Sequence, residues 1–230
     1  MAKSLISTKP VSAVEALAAR LSIASGVFFV LLLGSLHLIE PEFDPTWRFV
    51  SEYALGDVGW MMRLAFFLLA TSLASAGVAI FSQIRAVAGY LGLLVLGIGA
   101  LGLYLAAIFV TDPIATSQEA ATFSGKMHVL GASLDYTPIA ALLLSVALAR
   151  THAWRPIRTR LFLTAGVTLG TMVAFILLLP HDGEFGRGVI AGLFGRFLLV
   201  SYLGWIVTVG FHTRKLHKQA CSLSATPHLT

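Results

Sequence analysis

The sequence predicts an all-α fold of the membrane class: a polytopic helical bundle of six transmembrane helices with both termini cytoplasmic. Three observations predict it. Hydrophobic residues make up 57% of the 230 residues and charged residues only 12%, against about 25% charge in a soluble domain. A globule of this length cannot cover so much apolar surface, which excludes a soluble enzyme, a disordered chain and a disulfide-stapled secreted domain. The apolar residues also fall in runs of about 20, the length a helix needs to cross a hydrocarbon core of about 30 Å. Finally, the charges segregate by loop. On the N-terminal side lie eleven basic residues and the single acid Glu15, and on the other side four basic residues and nine acids. Basic loops mark the cytoplasmic face, so the pI of 9.7 reports topology and not a nucleic-acid partner. The expected location is the inner (cytoplasmic) membrane, with membrane lipids as partners.

Residues 1–20 form a cytoplasmic segment, residues 21–211 the six-span domain, and residues 212–230 a polar cytoplasmic tail. The first span runs from Leu21 to Ile39. It is too long for a signal-peptide core, and Glu40-Pro-Glu-Phe-Asp-Pro45 follows it instead of a small-residue cleavage site. The outer loop from Glu40 to Met61 is rich in acids and aromatics. Trp47, Phe49, Tyr53 and Trp60 suit the membrane interface, and the loop folds back on the bundle with a short helix from Arg48 to Leu55. The second span, Met62 to Ile84, and the third, Val87 to Val110, are joined by a tight turn at Arg85. The fourth, Met127 to Ala149, reads as one helix. A basic loop from Arg150 to Arg160 leads to the fifth, Leu161 to Leu179. A short glycine-rich turn precedes the sixth, Val189 to Phe211. Glycines such as Gly92, Gly99, Gly102, Gly166 and Gly170 read as close helix packing within the chain. Gly59 and Gly192 each precede an arginine by four positions at the start of a span.

Ionisable groups inside a membrane are costly and are functional candidates by default. Arg196 lies seven residues into the sixth span, about 10 Å down at 1.5 Å per residue. Asp135 lies at a comparable depth in the fourth, and His128 shares its helix face. An Arg196–Asp135 pair would remove the cost of two isolated charges. With Ser51, Glu52 and Asp112 these residues outline a polar pocket on the outer side. Its leading function is binding of a lipid headgroup or small polar molecule through Arg196 and Asp112, because an arginine grips phosphate or carboxylate bidentately. This reading requires no cofactor.

Two rival readings use the same region. Zinc held by His37, His128 and His181 would make the protein a membrane hydrolase, in which metal-bound water attacks a lipid amide or ester. A small transporter would need a continuous polar path, and the inner halves of the spans carry only scattered Ser and Thr.

The run Phe49-Val-Ser-Glu-Tyr-Ala-Leu-Gly56, then Gly59-Trp60, Phe109-Val-Thr-Asp-Pro113, His128 and Gly192-Leu-Phe-Gly-Arg196, resembles the pattern of domain-of-unknown-function family 998. The resemblance covers residues 20 to 211. It implies an integral membrane bundle of about six helices and importance for Ser51, Glu52, Asp112, His128 and Arg196. It supplies no reaction. Asp135 and His181 are added from their chemistry.

Overall fold

The structure, a computed structural model, describes residues 9–180 and 183–225. Among these, seven α-helices form six membrane-length spans: α1 (Ala13–Ile39), α2 (Gly59–Ile80), α3 (Val87–Ile108), α4 (Phe123–Ser133), α5 (Thr137–Leu148), α6 (Arg158–Leu177) and α7 (Ala191–Ala225). The chain is an integral membrane protein by the length and apolarity of these helices. Consecutive spans pack side by side, and α7 returns to α1, so the spans close into a ring, with contacts from α2 to α7 across it. Apolar side chains fill the middle, with Phe29, Leu69, Leu73, Leu144 and Trp205 fully buried. The outward faces carry residues such as Phe28, Phe67, Leu94 and Leu163, as lipid-facing helices require.

Three elements depart from the sequence reading. First, α1 begins at Ala13, eight residues before Leu21. Ser12 and Glu15 form a reciprocal capping box, in which each side chain satisfies a backbone N–H of the other. The Ser-x-x-Glu pattern is visible in the sequence. Second, α7 continues to Ala225, so most of the 212–230 tail is helix. It is tied back by a 2.8 Å contact between His217 Nδ1 and the Val11 carbonyl, which places the start of α1 and the last turns of α7 at one end of the bundle. Third, the fourth span is broken between α4 and α5, and it starts at Phe123.

The break has a local cause. Pro138, in the first turn of α5, has no N–H to bond a carbonyl at the end of α4, as a continuous helix would require. The Asp135 carboxylate accepts from the Thr137 amide and hydroxyl at 3.2 and 2.6 Å, competing for the donors that a continuous helix would use. Asp135 is the thirteenth of the 26 residues of this span, hence farther into its span than Arg196, the sixth residue of α7.

Helix contacts are made by small residues and hydroxyls, as expected where lipid supplies no hydrophobic drive. Ser22 and Ser72 exchange hydrogen bonds, each hydroxyl donating to the other's carbonyl at 2.7 Å. Gly102 and Gly131 meet backbone to backbone where α3 crosses α4, and Gly92 receives Leu144. Gly97, Gly166 and Gly170 have no neighbour where a side chain would project, so these three do not serve intrachain packing.

Candidate binding site at the loop end of the bundle

The end of the bundle opposite the start of α1 is capped by residues 40–58. Val50–Leu55 form a 3₁₀ helix, shorter than the predicted helix and starting two residues later. The cap is docked on the start of α7. The Leu193 amide, one of the unpaired donors of a helix N-terminus, bonds the Thr46 carbonyl at 3.0 Å. Gly192 has no side chain because the Arg48 backbone occupies that space. Asp44 braces the same segment by accepting from the Thr46 hydroxyl and amide at 2.6 and 2.9 Å. Those bonds hold its carboxyl below the usual carboxylate range.

Arg196 is the centre of this arrangement. It is the sixth residue of α7, 5% exposed. Its Nε donates to His37 Nε2 at 2.8 Å, and its Nη1 donates to the carbonyls of Arg48 and Gly192 at 2.6 and 3.0 Å. Its guanidinium carbon stands 5.6 Å from the Tyr53 ring centroid. Its Nη2 is buried without a partner. Every group bonded to this cation is neutral. Among the described residues no carboxylate lies within ion-pair distance of it; the ion pair found there joins Arg48 to Glu52 at 3.3 Å. The expected Arg196–Asp135 pair therefore does not form. Asp135 lies farther into its span and spends its second oxygen on the Tyr202 hydroxyl at 2.9 Å.

Tyr53 is the hub of the cap. It is fully buried, with its ring 5.3 Å from His37 and 5.2 Å from Phe43. Burial pushes its phenol above the ordinary tyrosine value, partly offset by the nearby Arg196 cation.

Two buried acids complete this region. Glu52 Oε1 takes Arg48 and the Ile114 amide at 3.3 and 3.0 Å, joining the loop after α1 to the loop after α3. Glu40 Oε1 takes the Val58 amide at 2.9 Å, just before α2, and Gly56 leaves the space its carboxylate fills. The Oε2 atoms of both acids are buried without a donor. The sequence reading missed Glu40 and Arg48 as site residues. The signal for Glu40 was its position three after His37, at the point where α1 ends and Glu40 is its C-terminal cap residue.

The remaining predicted residues have other work. His128 is buried, and its Nδ1 lies 3.1 and 2.9 Å from the Ala106 and Phe109 carbonyls. Arg63 donates to Ala107 and Ile108 at 3.1 and 3.3 Å, and Ser124 to Val110 at 2.8 Å. Together they satisfy the carbonyls that the end of α3 leaves open. Asp112 accepts from the Thr122 amide and hydroxyl, each at 2.8 Å, at the start of α4. Ser51 is buried in the cap, and no hydrogen bond among the described residues joins it to His128. The six predicted residues thus occupy distinct places: Ser51, Glu52 and Arg196 in and under the cap, Asp112 and His128 at the α3–α4 turn, and Asp135 at mid-span.

Of the zinc candidates, His181 lies outside the described residues. Both nitrogens of His37 are engaged, Nδ1 with the Leu33 carbonyl at 2.6 Å and Nε2 with Arg196. A metal at His37 would have to displace Arg196. Among the described residues no three His, Cys, Asp or Glu side chains are grouped to hold a metal. The glycine–arginine echo has a shared chemistry. Gly59 and Gly192 each make room for a neighbouring backbone carbonyl, and Arg63 and Arg196 each donate to carbonyls of another segment.

A family model described as a protein of unknown function (DUF998) matches residues 22–212. No curated protein and no solved structure matches the chain.

Proposed function

The chain belongs to the DUF998 family, and with no reaction to inherit from it we propose, from the residues themselves, that this membrane protein binds an anionic group at Arg196 beneath its loop cap. The observation that carries the reading is the buried guanidinium with only neutral partners and one empty donor. A buried charge is costly until it is paired. Nη2 lies beside the bonded Nη1, so an entering phosphate or carboxylate gains a planar donor and a full opposite charge. A lipid headgroup phosphate and a small soluble anion offer the same chemistry. The distribution of basic residues supports placing the cap on the non-cytoplasmic side of the inner membrane.

The test is thermal unfolding of detergent-purified protein with dihexanoyl phosphatidic acid, with inorganic phosphate, or with dihexanoyl glycerol. Phosphatidic acid is expected to raise the melting temperature and the uncharged glyceride to leave it unchanged. A rise with inorganic phosphate alone would assign the site to a soluble anion. Arg196→Lys keeps the charge and loses the fork, so it should lose the shift. An equal shift in this variant would refute the site.

A further inference from the structure

Resting on that reading, we infer that the ligand is a zwitterion, whose anionic group meets Arg196 while its primary ammonium meets the free oxygen of Glu40. Glu40 is 2% exposed. It has the Val58 amide on one oxygen, nothing on the other, and no cation within ion-pair distance among the described residues. Arg196 is its mirror image, a buried cation with one empty donor and no carboxylate. The two flank one element. Arg196 bonds His37, Glu40 follows His37 by three positions, and His37 and Arg196 both stand against Tyr53.

Arg48 and Glu52 neutralise each other, which leaves Arg196 and Glu40 as separated, directly unpaired opposite charges. A plain anion bound there would add its charge beside buried Glu40, and a plain cation would add its charge beside buried Arg196. A zwitterion satisfies both and adds no net charge. An ammonium bearing N–H groups donates to Glu40 Oε2, whereas a quaternary ammonium cannot. Glu40 is the first residue of the cap, with its carboxylate against Gly56, and Arg196 is bonded to the cap through the Arg48 carbonyl, so a ligand reaching both atoms requires the cap to move. The chemical class is a phosphodiester or carboxylate carried on one molecule with a primary amine, either as an aminophospholipid headgroup or as a free amino-phosphodiester.

The experiment measures affinity of the purified full chain for dihexanoyl phosphatidylethanolamine, phosphatidylglycerol and phosphatidylcholine, and for free glycerophosphoethanolamine. Phosphatidylethanolamine is expected to bind on the order of tenfold tighter than the other two lipids, the scale of one charge-assisted hydrogen bond. Glu40→Gln should bring it down to their level. Tighter binding of free glycerophosphoethanolamine than of the lipid would move the source to a soluble ligand of the same class. Equal binding of the three lipids by the wild type would overturn the zwitterion and leave the anion site standing. Binding of none of the four would overturn both. The wild-type comparison decides the matter even if the variant does not fold.

Discussion

His37 Nε2 accepts a hydrogen bond from Arg196 Nε at 2.8 Å while His37 Nδ1 lies 2.6 Å from the Leu33 carbonyl. The geometry fixes the tautomer. Nδ1 carries the proton, donated to a carbonyl of its own helix, and Nε2 offers its lone pair to the cation. His37 thereby aims Arg196, linking the last turn of α1 to the first turns of α7. Removing the acceptor strands a buried guanidinium N–H. His37→Ala should cost about 1.5–3 kcal/mol, the range for hydrogen bonds to charged groups. His37→Gln, whose amide oxygen can accept, should recover part of it. Unfolding in mixed micelles gives the free energies, and nitrogen chemical shifts of labelled histidine should report the neutral Nδ1–H form. Loss of the same stability in both variants would point to ring packing on Tyr53 in place of the hydrogen bond.

Arg63 and His128 close the end of α3 jointly, on four consecutive carbonyls from Ala106 to Phe109. Because the groups they satisfy adjoin, their contributions should not add. Each alanine substitution is expected to cost about 1–2 kcal/mol. A double-mutant cycle should give a coupling of at least about 0.5 kcal/mol. Additive losses would mean that the two side chains act independently.

Tyr202 donates to Asp135 at the break in the fourth span. Tyr202→Phe removes that donor without removing the ring. The expected loss is about 0.6–1.7 kcal/mol, the measured scale for hydrogen bonds between membrane helices. Proteolysis or hydrogen exchange should show α5 loosening before α2. An unchanged stability would show that Asp135 is held by Thr137 alone.

The single cysteine, Cys221, is exposed near the end of α7. With the proposed orientation it faces the cytoplasm, and the exposed Asp57 faces the other side. A membrane-impermeant maleimide should label Cys221 only after cells are permeabilised. An Asp57→Cys variant that also carries Cys221→Ser should label in intact cells. The reverse pattern would invert the bundle and place the Arg196 site on the cytoplasmic side.

The six spans were legible in the sequence because a membrane span is a local property. About 20 consecutive apolar residues must cross the hydrocarbon, and each span satisfies its own backbone hydrogen bonds. The folded-back loop after the first span and a charge set within the sixth, Arg196, were legible for the same reason, as local violations of that apolar rule. What the charges bond to was not. Arg196 and His37 are 159 positions apart and Tyr202 and Asp135 are 67, and no spacing in the chain encodes such partners. Like depth suggested Arg196 with Asp135. Closure of the ring instead brought α7 against α1 and the cap against Gly192, and Pro138 with Asp135 broke the fourth span at its middle. The sequence by itself determined which residues could not be left in lipid. Only the tertiary structure decided which became caps of helix ends, and which, Arg196 and Glu40 among them, remained buried with a polar atom unspent and no opposite charge within ion-pair distance.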